Sequence, residues 1–200
     1  MKINFLIKSE TVNIDNYTIK DIPGSSGRLD VISRCILSAL IDNDKFEESI
    51  QIFIFFNDYG TFIFNTEVLS YSEFPKNELL LSDYIVKLIK KKNDKNELNN
   101  NPLKLVDVKN LSMIDYLKDL KENKKSIFVL KEDGDEFINI LNKEALIDEI
   151  YFIIGNQSED FINSKEFMKL NIKGISVGTK SYLASSVIRL IKFNLKNLLN

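Results

Sequence analysis

Residues 149–155 read "EIYFIIG" and residues 172–178 read "IKGISVG". The first run is apolar or aromatic from Ile150 to Ile154, with no polar residue alternating through it. A strand with one wet face alternates, whereas a continuous apolar run needs both faces covered. Between the two runs, "INSKEFMKL" (162–170) has helical spacing. After the second, "KSYLASSVIRLIKFNLKNLL" (180–199) reads as a long amphipathic helix. Strand, helix, strand, helix with buried strands is the pattern of an α/β fold with a largely parallel sheet.

The same alternation extends upstream. "SIFVL" (126–130) is a strand leading into a "KEDGDE" loop, and "SMIDYLKDLKEN" (112–123) is helical. In the first half, "INFLIK" (3–8) alternates as a strand. From about Arg28 to Asp42, Leu29, Ile32, Cys35, Ile36, Ala39 and Leu40 recur at helical spacing. "SIQIFIFFND" (49–58) is a buried strand, and "TFIFNTEVLS" (61–70) a following strand or strands. "ELLLSDYIVKLIKKK" (78–92) predicts a helix, and "NDKNELNNNP" (93–102) a polar loop. No internal repeat is visible. A chain of 200 residues has room for one or two domains and a sizeable core.

Composition narrows the chemistry. The chain has no histidine, so Ser-His and Cys-His nucleophile pairs are excluded. Cys35 is the single cysteine, which excludes an intrachain disulfide and a Cys-rich metal site and points to a reducing, cytosolic setting. The net charge of −2 carries no global basic field, so a bound polyanion would need a local patch or a subunit interface. No apolar run is long enough to cross a bilayer, and "MKINFLIKSE" is too short and charged for a signal peptide. No metal and no membrane partner are expected. Neither a Walker A loop, a Gly-x-Gly-x-x-Gly fingerprint, a zinc spacing nor an EF-hand is present.

Three strand ends carry glycine or a glycine-bearing loop: Leu130 into "KEDGDE", Gly155, and "ISVGTKS" around Gly178. In parallel sheets ligands bind beyond the carboxyl ends of strands. The three loops either build one pocket or simply turn the chain.

A second stretch, "KDIPGSSGRLDVISRC" (20–35), stands out. Lysine outnumbers arginine 24 to 3, yet Arg28 and Arg34 both fall here. Arginine in a lysine-dominated chain points to positions that need a planar, bidentate fork. Asp30 and Arg34 are four residues apart and share a helix face opposite the apolar stripe, either as a surface ion pair or as a functional pair. Helical spacing would put Arg28 on the apolar side, so it either precedes the helix or is held near a buried surface. Ser25, Ser26 and Gly27 suit a helix N-terminus, as a phosphate cradle or an ordinary cap.

The final part "YFIIG…ISVGTKSYLASSVI" resembles the C-terminal knot of the SPOUT methyltransferases, α/β proteins that bind S-adenosylmethionine in a trefoil knot. "DIPGSSGRLDVISRC" resembles the N-terminal signature of the archaeal TrmY family through Asp21, Pro23, Gly24, Ser25, Gly27, Arg28, Leu29, Asp30 and Arg34. The resemblance implies a SPOUT-type α/β fold with a mostly parallel sheet and a C-terminal trefoil knot, as one domain over 1–200. Residues 1–120 would form the substrate side and 121–200 the knotted cofactor-binding part. It implies a cytoplasmic homodimer that methylates N1 of pseudouridine 54 in the tRNA T-loop, with S-adenosylmethionine as cofactor. The cofactor would be held at Leu130, Gly155, Ser176, Val177, Gly178, Thr179, Lys180, Ser181 and Val187. Asp30, Arg28 and Asp21 would serve catalysis, and Arg28, Arg34, Ser25 and Ser26 would contact RNA, the substrate side lying toward the N-terminal signature of the partner subunit. The sequence departs from the family at Asn156, Gln157, Ser158 and Glu159, where Asp-His-x-Gly is usual, and at Leu183, Ser186 and Val187, where His and Cys are frequent. A knotted dimer that binds RNA without catalysis, or a SPOUT enzyme with another RNA target, are the alternatives.

Overall fold

The computed structural model describes residues 1–91, 99–137, 148–155, 161–178 and 180–199. Its centre is a seven-stranded sheet. In chain order the strands are β1 (Lys2–Ser9), β4 (Ile50–Phe56), β5 (Gly60–Asn65), β6 (Asp107–Lys109), β7 (Ser126–Glu136), β8 (Glu149–Ile154) and β9 (Lys173–Ser176). The missing numbers, β2 (Ile41–Asp42) and β3 (Lys45–Phe46), form a separate small hairpin. Across the sheet the order is β6-β5-β4-β1-β8-β7-β9. Pairings β4–β1, β1–β8, β8–β7 and β7–β9 are parallel, and β4–β5 and β5–β6 are antiparallel. The architecture is therefore mixed α/β with a mostly parallel central sheet, as the strand–helix alternation predicts.

Strand residues alternate between the two faces. Phe5, Ile7, Ile52, Ile54, Phe152 and Ile154 face one core. Leu6, Phe53, Phe55, Ile127, Val129, Tyr151 and Ile153 face the other. Covering both faces with helices is what makes these strands continuously apolar. The first core is closed by α2 (Leu29–Leu40), α3 (Glu78–Lys91) and α6 (Ala184–Leu199), the second by α4 (Met113–Glu122) and α5 (Lys165–Lys169). A one-turn helix, α1 (Ile22–Ser25), precedes α2.

Two expectations change. The helix expected to reach Asp42 stops at Leu40. The chain then enters the β2–β3 hairpin through Asn43 and Asp44, at φ 45° and 58°. Asn and Asp tolerate that left-handed conformation, which two-residue hairpin turns require. The "KEDGDE" loop is likewise not a simple loop. The ladder between β7 and β9 breaks after Leu130 and resumes at Asp135, which pairs with the same Ile175. Gly134 makes this possible: an added Cβ would lie 2.5 Å from the Ile175 carbonyl carbon.

Candidate active site

The ladder break in β7 after Leu130 and the carboxyl ends of β8 and β9 open onto a hollow of about 540 Å³, inside the range of about 300–1,000 Å³ typical of small-molecule sites. Leu130, Gly155, Ser176, Val177, Gly178, Lys180, Ser181 and Val187 all line it. Eight of the nine residues expected to hold a cofactor thus converge on one volume. Thr179, like Asn156 to Glu159, lies outside the described residues.

Local geometry explains the opening. An added Cβ on Gly155 would touch only Ile162 Cδ1, at an ordinary 3.5 Å, so the protein itself leaves that space free. Gly178 sits at φ +152°, where a side chain would be strained and within 3.2 Å of the Tyr182 hydroxyl. Ser176 pins the turn by donating its Oγ–H to the Gly178 carbonyl at 2.7 Å. The walls combine apolar side chains (Leu130, Ile154, Val187) with charged ones (Glu132, Asp133, Lys180). That donor set suits a ligand with a flat apolar part, hydroxyls and charged ends, as S-adenosylmethionine has.

The sequence reading missed Lys131, Glu132, Asp133, Ile154, Ile162, Asn163, Tyr182 and Ala184 in this lining. Most are chain neighbours of expected residues and could have been found by widening each loop. Ile162 and Asn163 carry no local signal, because only the fold brings them there.

The N-terminal signature forms a second constellation. Asp21 caps α1, its Oδ1 accepting from the Gly24 N–H at 3.1 Å. The carboxylate folds so closely over Gly24 that a Cβ there would lie 2.3 Å from Oδ2. Ser25 Oγ donates to the Asp21 carbonyl at 2.5 Å and accepts from the Thr18 N–H at 2.9 Å. Ser26 is fully buried; its hydroxyl donates to the Ile22 carbonyl and accepts from the Leu29 N–H. Its hydroxyl therefore builds the turn rather than facing solvent as a phosphate donor.

Arg28 precedes α2 and is exposed, so the first of the two sequence alternatives holds. Its Nε and Nη2 donate to the two oxygens of Asp30 at 3.1 and 3.2 Å. Arg34 Nη2 donates to Asp30 Oδ2 at 3.4 Å and to Glu78 Oε2 at 2.9 Å. The hydrogen bond to Asp30 pushes the Arg28 pKa further up, and that to Glu78 does the same for Arg34. Asp30 is not on an open face as expected: its side chain is only 10% exposed. Two guanidinium groups fold over it, and α3 packs on α2 beside them, with Ser82 Oγ 2.8 Å from Ser33 Oγ and Glu78 on Arg34. Glu78 was invisible in the sequence because an acidic residue opening a helix is ordinary.

None of Asp21, Ser25, Ser26, Arg28, Asp30 and Arg34 is among the residues lining the hollow. Both groups nonetheless belong to the same edge, since α2 and α6 each follow a parallel strand and start beyond its carboxyl end. Among the described residues, no group of three or more His, Cys, Asp or Glu side chains could hold a metal ion. No helix there is long and apolar enough to cross a membrane.

Known proteins are similar to this chain in sequence and in fold. The tRNA (pseudouridine(54)-N(1))-methyltransferase of Pyrococcus abyssi is 23% identical over 202 residues, covering 97% of each chain. Its counterpart in Methanococcus aeolicus is 26% identical over 88% of this chain and 90% of its own. The crystal structure of Archaeoglobus fulgidus Nep1 bound to S-adenosylhomocysteine superposes with a TM-score of 0.65 at 14% identity, over 100% of this chain and 99% of that one. The two therefore have a common fold. The family described as "Putative SAM-dependent RNA methyltransferase" matches residues 1–198. Matched over nearly its whole length, the chain belongs to that family of SAM-dependent RNA methyltransferases.

Proposed function

We propose that this chain transfers a methyl group from S-adenosylmethionine to N1 of the pseudouridine at position 54 in the T-loop of tRNA. The observation that carries the reading is the hollow lined together by Leu130 within β7, Gly155 after β8 and Ser176 to Gly178 at the end of β9. The names of its relatives support the choice of RNA and atom. Mass analysis of tRNA nucleosides from a strain lacking the gene tests it: methylpseudouridine disappears and returns on complementation. Its persistence in the deletion strain refutes the reading.

When bound, S-adenosylmethionine supplies an electrophilic methyl group. The chain's own work is to hold and orient the reactants, which suits a protein without histidine. Leu130, Gly155, Val187 and the run Ser176 to Ser181 hold the cofactor side. Pseudouridine N1 must lose a proton as it is methylated, so a carboxylate to orient or accept it and a cation to steady the developing charge are required. Arg28, exposed and braced by Asp30, steadies that charge or an adjacent phosphate, and Arg34 holds the RNA backbone. Asp30 already engages two guanidinium groups and acts first by positioning them. It and Asp21 are the carboxylates offered to the base.

The reading includes a homodimer in which the signature of one subunit faces the cofactor hollow of the other. Support comes from the absence of signature residues in the hollow's own lining. Support also comes from apolar side chains left exposed on and before α6, Leu183 and Phe193, at 65% and 62%. The trefoil knot, a single functional domain over 1–200 and a cytoplasmic setting belong to the same proposal. The knot rests on the resemblance.

A further inference from the structure

A second hollow, of about 950 Å³, lies on the same edge of the sheet but outside the site described above. It sits at the ends of β1, β4 and β6 and at the start of β5, through Lys8, Phe56, Lys109 and Gly60. A small cavity of about 10 Å³ lies between the two. It shares Lys8, Met113 and Phe161 with the larger hollow and Ile154, Gly155 and Ile162 with the cofactor-side hollow. The two hollows are thus neighbours along the carboxyl edge, separated where Lys8 Nζ lies 4.6 Å from the centre of the Phe161 ring.

We infer that the larger hollow holds the nucleotides of the substrate RNA that adjoin the target nucleoside; this rests on the function proposed above. A strand whose target base meets the methyl donor must continue in some direction, and the neighbouring hollow offers it space outside the cofactor side. Its lining offers single-stranded RNA two kinds of contact: exposed lysines that can reach phosphates and exposed amides that can meet base edges. Phe55 and Phe56 are buried beneath the hollow, and Asn57 and Asn110 are exposed along it. Lys109 and Lys118 stand on the rim. Each pairs with a carboxylate, Asp107 at 2.9 Å and Asp115 at 3.4 Å, but all four side chains are more than half exposed. Such pairs contribute little to stability, so a phosphate can replace the carboxylate at small cost. Asp58, Asp115 and Glu166 balance the lysines of this lining. The hollow therefore acts through local contacts rather than by drawing RNA from a distance.

The test uses the full chain and the double variant Lys109→Gln/Lys118→Gln, with a T-loop RNA hairpin carrying pseudouridine as probe. Binding is measured between 50 and 200 mM salt. The RNA affinity falls roughly fivefold or more, and the slope of log affinity against log salt shrinks by about 1.4, at about 0.7 per lysine on a single strand. Affinity for S-adenosylhomocysteine stays unchanged. An RNA affinity and salt slope equal to those of the wild type, in a wild type that methylates the probe, overturns this inference alone. A wild type that neither binds nor methylates the probe overturns the proposed function and this inference together.

Discussion

Gly27 and Arg28 occupy consecutive left-handed positions, at φ 59° and 71°. Only glycine fits the first, because a Cβ there would lie 1.7 Å from the Thr11 carbonyl oxygen. Arg28 accepts a conformation that side chains disfavour, and strain of this sort gathers at functional sites. Gly27→Ala is expected to lower unfolding free energy by about 1–3 kcal/mol, read as a shift in the urea midpoint. Arg28→Lys tests the fork rather than the charge. A lysine cannot repeat the two bonds to Asp30, so methyl transfer falls about tenfold or more while S-adenosylhomocysteine affinity holds. Cys35 gives a third prediction. It is buried, and burial pushes its thiol up to about 12. At pH 8 it therefore reacts with a disulfide reagent on the order of 100-fold more slowly in the folded chain than in urea, since the thiolate is the nucleophile. At this scale the sequence was informative about identity and poor about orientation. The arginine bias and the glycines marked Arg28, Gly27 and Gly178. Helical spacing could not foresee that Asp30 would be covered, because Glu78, which holds Arg34 beside it, comes from about 50 residues further along the chain.

Between elements, Lys192 couples the helix that begins near the cofactor hollow to the helix that carries Asp30 and Arg34. It is 5% exposed, and its ammonium donates to the Ser38, Ala39 and Ile41 carbonyls at 2.9, 3.0 and 3.2 Å. These carbonyls lie at the end of α2, where intrahelical partners run out. Glu47 Oε2 lies 2.6 Å from the same ammonium. Lys192→Met leaves the carbonyls and a half of that pairing without a donor, and costs about 3 kcal/mol, the low end for a broken buried pair. Lys196 still reaches Glu47, at 3.0 Å, which keeps the cost low in the range. Desolvation pushes the Lys192 pKa down. Between that lowered value and the ordinary lysine pKa of about 10.4, the unfolded chain binds more protons, so this residue's contribution to stability rises with pH. Urea midpoints across that alkaline window rise less with pH in Lys192→Met than in the wild type. The periodicity of the strands and long helices was legible because their burial is regular. The β2–β3 hairpin and the resumed β7–β9 ladder were not. Asn43-Asp44 and Lys131–Gly134 are themselves unpaired, and the ladder shows only in the residues that flank them, Asp42 with Lys45 and Asp135 with Ile175.

At the scale of the whole molecule, one edge of the sheet collects everything the chain offers to a reaction. The α/β class and the parallel sheet follow from doubly covered strands, and the cofactor-side loops follow from glycines at strand ends. The second hollow could not be read from sequence, since its residues come from β1, β4, β5, β6 and α4 and share no local pattern. The distance between signature and hollow was equally hidden, and it is what makes a second subunit part of the proposed site. The most direct measurement is methyl transfer by the purified chain from S-adenosylmethionine to two T-loop RNAs, identical except for pseudouridine or uridine at position 54. Nucleoside mass analysis is predicted to show one added methyl on the pseudouridine and none on the uridine. A folded chain that binds the cofactor and leaves both RNAs unmethylated, or methylates both alike, would contradict the account.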